Sequence, residues 1–90
     1  MAFSLTFRLP DENHQEKQNP PGVTDVRIRG LSGAHVVAIE GYGDGGWVSL
    51  ASIKGSASGP EATATITVPT SRRVRAFVSN GGKALVMFLD

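Results

Sequence analysis

The segment Val36-Val37-Ala38-Ile39-Glu40-Gly41-Tyr42-Gly43-Asp44-Gly45-Gly46-Trp47-Val48-Ser49-Leu50 constrains this chain more than any other. Apolar residues precede and follow a glycine-rich cluster that can adopt positive φ, the pattern of two β-strands joined by a tight turn. Asp44-Gly45 supplies the turn, and Gly41 and Gly43 would let the strands bend or bulge beside it. The only tryptophan, Trp47, follows the turn directly. A small β-domain needs its largest apolar ring, so Trp47 is expected in the core, covering the end of the sheets. The hairpin carries no catalytic chemistry of its own.

The rest of the chain repeats the strand pattern. Phe3, Leu5, Phe7 and Leu9 alternate with Ser4, Thr6 and Arg8, which predicts a half-buried strand over 3–9. Val26 and Ile28 alternate with Arg27 and Arg29 over 26–30, and further strands are predicted over 35–42 and 47–53. Thr63 to Val68 alternates threonine with apolar residues, and over 73–79 Val74, Ala76 and Val78 point inward. Asn80-Gly81-Gly82 reads as a hairpin turn into a last strand, Ala84 to Leu89, apolar enough to be buried on both faces or paired centrally. About seven short strands with glycine or proline in the turns predict an all-β fold, a small antiparallel sandwich or flattened barrel in a single domain.

Two stretches lack strand character. Lys54 to Ala62 is a flexible loop by composition. Pro10 to Gly22 is polar, bounded by proline and long for a connection in so small a domain. It reads either as a solvated loop or as an arm that orders against a neighbouring subunit.

Ninety residues bury roughly two-thirds or less of their unfolded surface, so such a domain needs help from disulfides, metals or partners. There is no cysteine, and His14 and His35 are too far apart for a ligand pair, so neither a disulfide nor a metal or other cofactor is expected. Partner chains remain, which favours a homo-oligomer or docking on a larger surface. Nine basic against eight acidic residues give no global field towards nucleic acid or membrane. The first nine residues lack a basic leader and a long apolar core, and no apolar run approaches the ~20 residues that span a bilayer. The expected location is a reducing, cytoplasm-like space, or a particle assembled there.

Over residues 30–90 the order of motifs is Ser32-Gly33-Ala34, an apolar strand, Asp44-Gly45-Gly46-Trp47-Val48, a threonine-rich strand ending in Val68-Pro69, then Arg73-Val74-Arg75-Ala76 and a glycine-led final hairpin. This resembles the small β-sandwich modules in structural proteins of tailed bacteriophages, the head decoration or cement proteins and other virion accessory proteins. The resemblance implies a non-enzymatic role in a virion, with the major capsid protein or another virion protein as partner. It also makes a trimer at a symmetry axis plausible. It brings no catalytic residues, and the first 29 residues have no counterpart in it.

Candidate acids such as Asp25, Glu40 and Asp44 are scattered rather than convergent, and Asp44 is explained by its turn. His35 is expected to be a strand-edge histidine satisfied by backbone. The glycines near Asp44 open no helix, so they form no phosphate loop. The most suggestive polar set is Arg27 and Arg29 on one strand, with Arg72, Arg73 and Arg75 at another. If the two strands were neighbours, their guanidinium groups would line one surface, suited to the carboxylates of a partner protein. The alternative is a solvated face balanced by Asp25, Glu40 and Asp90. A competing function is carbohydrate binding or host adhesion, with Tyr42 and Trp47 as an exposed aromatic platform.

Overall fold

The computed structural model describes residues 4–9, 17–18, 20–30, 35–55, 61–79 and 82–89. They form β1 (Ser4–Leu9), β2 (Lys17–Gln18), β3 (Gly22–Arg29), β4 (Val36–Gly43), β5 (Gly46–Lys54), β6 (Glu61–Val68), β7 (Arg73–Val78) and β8 (Ala84–Leu89). All strand pairs are antiparallel. They make two four-stranded sheets, β1-β8-β3-β6 (sheet A) and β2-β7-β4-β5 (sheet B). The expected small antiparallel sandwich is the fold observed.

The chain changes sheet at every connection except the β4–β5 hairpin. The pairs β4–β5, β3–β6, β2–β7 and β1–β8 are nested around that hairpin. Eight strands wound in this way are a jelly roll. The polar segment 10–22 is the crossover from sheet A to sheet B and back. It contains the short strand β2, which sequence periodicity cannot reveal in two residues. Residues 10–16 and 19 of that segment, 56–60 and 80–81 lie outside the described residues. The hairpin expected at Asn80-Gly81-Gly82 is not formed, because β7 and β8 belong to different sheets and the chain crosses between them.

Alternation places the core where it was expected. Phe7 and Leu9 of β1, Val26 and Ile28 of β3, Val37 and Ile39 of β4, and Val74, Ala76 and Val78 of β7 are buried between the sheets. Ile66, Val68, Ala84, Val86 and Phe88 join them from β6 and β8. Phe3 and the side chain of Leu5 lie outside the described residues. Phe7 and Phe88 meet edge to face, with ring centroids 5.6 Å apart. Burying each such ring stabilises the fold by roughly 1.5–3 kcal/mol, with about 0.5–1.5 kcal/mol more from the ring pair. Strand β8 is central in sheet A, paired with β1 and β3; its Ala84, Val86 and Phe88 are buried in the core, while Leu85, Met87 and Leu89 alternate with them and are half-buried.

Trp47 does not enter the core. A register shift at Ile39/Glu40 pairs Ile39 with Ala51 but Glu40 with Ser49, leaving Leu50 as an extra residue on β5. The side-chain period of a strand is two, so one extra residue exchanges the faces beyond it. Ile53 and Ala51 sit opposite the inward-facing Val37 and Ile39, whereas Trp47 sits opposite the outward-facing Tyr42. Strict alternation from Ile53 through Ala51 would have aimed Trp47 inward. The bulge turns it out, and Leu50 packs against the core.

Candidate functional site: an arginine and aromatic face

The outer face of sheet B follows from register. Arg75 of β7 lies opposite Glu40 and Phe77 lies opposite Ala38. On the other side of β4, Tyr42 lies opposite Trp47 and Glu40 lies opposite Ser49. Arg73, two residues before Arg75, shares the same face of β7. Two of the five arginines that the sequence offered for a protein partner, Arg73 and Arg75, therefore form one patch with the aromatic pair it offered for a sugar.

The patch is internally stacked. The Arg75 Nε–H donates to Glu40 Oε1 at 2.7 Å. The same guanidinium lies 4.1 Å from the Trp47 ring centroid and 4.9 Å from that of Phe77. Arg73 lies 4.8 Å from the Tyr42 ring centroid and 5.8 Å from that of Trp47. Tyr42 and Trp47 meet edge to face at 5.3 Å. Each cation–π contact contributes about 0.5–1 kcal/mol at a site this open, and together they hold long side chains in defined rotamers. Tyr42 is 36% exposed and Trp47 is half-buried, so ring and guanidinium edges reach solvent.

A turn fixes one corner. Over Pro69–Arg72 the Arg72 N–H donates to Pro69 O at 2.9 Å. Ser71 Oγ donates to Tyr42 O and accepts from the Arg73 N–H at 3.3 Å, tying the turn to β4 and β7. Gly41 permits this approach. A Cβ there would stand 2.7 Å from Pro69 Cδ, so the glycine is needed for space rather than for bending. Arg72 itself is exposed and has φ 65°, a left-handed conformation.

Arg27 and Arg29 lie elsewhere. Strand β3 belongs to sheet A, where Arg27 pairs with Met87 and Thr63 on the opposite outer face of the sandwich. The strands bearing the two arginine pairs are not neighbours, and one flat partner surface cannot touch both sets. Beside Arg27, a depression of about 460 Å³ is lined by Asp25, Thr63, Thr65 and Leu89, with Thr65 Oγ1 donating to Asp25 Oδ1 at 2.9 Å.

His35 is engaged by backbone, at the end of sheet B away from the hairpin. Its Nδ1 lies 3.0 Å from Ser79 O, and since a carbonyl only accepts, Nδ1 is the donor. The Val36 N–H donates to Ser79 Oγ, and the Gly55 N–H donates to His35 O. The ring fills the space where Gly82 lacks a side chain. Among the described residues no group of three His, Asp or Glu is placed to hold a metal ion. Asp11, Glu12, His14, Glu16 and Asp90 lie outside them.

Sequence reasoning missed two contributors to the patch, Phe77 and Ser71, and gave Glu40 only a balancing charge. Phe77 could have been placed by alternation with Arg73 and Arg75. Ser71 carries no signal until Tyr42 is seen beside it. The chain matches no protein-family model and no curated protein.

Proposed function

We propose that this protein is a non-enzymatic structural module that docks on a larger protein assembly, of the kind a phage head presents, through the Tyr42–Trp47–Arg73–Arg75 face of sheet B. The observation that carries the reading is the stack itself. Tryptophan, tyrosine and arginine are the residue types that dominate binding energy at protein interfaces. Here they are already ordered by one another, so docking loses less side-chain entropy. A face of a molecule measuring 34 × 28 Å in its two longer dimensions is on the scale of the ~800 Å² per partner that a standard interface buries. Eight-stranded jelly rolls also serve as capsid domains.

Carbohydrate binding is less well supported. A sugar ring stacks on an open aromatic face, but the Trp47 ring has Arg75 over it at 4.1 Å and Tyr42 meets it edge-on. The jelly roll also houses lectins, so the fold leaves the choice to the patch.

Co-sedimentation of the purified protein with phage capsids tests the proposal. Wild-type protein should pellet with particles, and Trp47→Ala or Arg75→Ala should weaken the association at least tenfold while the fold persists. Failure of the folded wild type to associate with particles would overturn it, as would undiminished association of both variants. A saturable Trp47 fluorescence change with glycans would favour the sugar reading.

A further inference from the structure

At three of the four positive-φ positions among the described residues this chain uses glycine: Gly22, Gly30 and Gly46. The fourth is Arg72, at φ 65°. Left-handed backbone is easy for glycine and unfavourable for a residue with a Cβ, which crowds the following carbonyl oxygen. Gly46 makes the comparison local. It ends the hairpin turn beside Trp47, while Arg72 ends the turn tied to Tyr42, so two turns frame one aromatic pair and only one takes glycine. Nothing about the Pro69–Arg72 turn requires a side chain at its last residue, because the turn is closed by the backbone bond to Pro69 O and by Ser71 Oγ. A strained residue in a rigid, exposed position points to function.

We infer that Arg72 is the specificity-determining residue of the docking face and that it binds a carboxylate-bearing segment of the partner protein; this rests on the docking role proposed above. Arg72 ends the turn and leads directly into Arg73, which stacks on Tyr42, and Arg75, whose Nε–H is engaged by Glu40. This stretch of chain therefore carries three arginines within four residues, and Arg75 already pairs with Glu40. Guanidinium forks match carboxylates in bidentate geometry. A neutral apolar partner would gain nothing from Arg72 that glycine would not give at lower strain. An acidic segment gains an ion pair with an arginine whose backbone is held by the turn before binding.

Two readouts on the full chain decide this. Arg72→Gly should raise Tm by about 2–6 °C, because the relief of strain outweighs the opposing entropy that glycine adds to the unfolded chain. The same substitution should weaken binding of a hexaglutamate peptide, read by Trp47 fluorescence or amide chemical shifts, by at least threefold. Arg72→Asn, which tolerates the left-handed region, should weaken it similarly, and Arg27→Gln on the opposite face should leave it unchanged. Hexaglutamate binding that Arg72→Gly leaves intact, or that Arg27→Gln weakens equally, overturns the inference. Absence of wild-type binding to the peptide also overturns it. In that case, wild-type co-sedimentation with capsids would show that docking stands and that only its acidic chemistry has failed.

Discussion

Replacing Gly41 by alanine tests whether the β6–β7 turn is seated on β4 as tightly as the structure shows. The new Cβ would stand 2.7 Å from Pro69 Cδ, 2.8 Å from Pro69 Cγ and 2.9 Å from Leu50 Cδ1. Favourable carbon–carbon separations are about 3.5–4.0 Å. Leu50 can rotate, but the proline ring cannot, and its turn is held by Ser71 Oγ on Tyr42 O. Overpacking of this kind costs about 1–3 kcal/mol, and relief of glycine's strand penalty returns roughly 0.5–1 kcal/mol. The net destabilisation is about 1–2 kcal/mol, which lowers the Tm of a domain this size by about 4–15 °C. Urea and thermal unfolding followed by far-ultraviolet circular dichroism would measure it. Pro69→Ala removes both of the nearest atoms, so Gly41→Ala should cost less in that background, with a coupling above about 0.5 kcal/mol. A Gly41→Ala protein as stable as wild type, or strict additivity with Pro69→Ala, would refute the reasoning.

Other substitutions probe the remaining assignments. Phe88→Ala should cost about 3–5 kcal/mol and leave the chain largely unfolded at 37 °C, whereas Trp47→Ala should cost less than half as much, because Phe88 is buried in the core and Trp47 lies on the outer face; equal losses in urea unfolding would return Trp47 to the core. Glu40→Gln removes an ion pair whose side chains are 27% and 21% exposed, so stability should fall by about 1 kcal/mol or less while the Trp47 emission spectrum shifts. Gly82→Ala should destabilise the wild type, since its Cβ would stand 2.6 Å from His35 Cγ, and should be nearly neutral in a His35→Ala background; a constant cost in both backgrounds would dismiss the contact.

Much of the fold was legible because burial imposes a period of two. The alternation in β3 and β7 named the inward residues correctly, and of the two alternatives for β8, burial on both faces or central pairing, the topology gives central pairing. What was illegible is non-local. Leu50 looks like any apolar strand residue, and only pairing with β4 shows it to be the extra one that reverses the face of Trp47. The partition of β3 and β7 between two sheets likewise belongs to topology. Local sequence gives Arg27 and Arg75 the same outward pattern on opposite sides of the molecule. The chemistry of the patch was half legible for the same reason: Tyr42, Trp47, Arg73 and Arg75 were named, but Phe77, Ser71 and the juxtaposition of the set were not.

The nesting of strand pairs has a kinetic consequence. Once β4 and β5 close around Asp44-Gly45, Val36 lies beside Lys54, and β3 can reach β6 across only residues 30–35 and 55–60. Each pairing shortens the loop that the next must close, through β2–β7 to the meeting of Ser4 with Leu89. Loop-closure entropy grows with the logarithm of loop length, so a chain of high contact order can zip in a series of short steps. Lesions at Gly43–Gly46 should therefore slow folding, and lesions in the β1–β8 pair should mainly hasten unfolding.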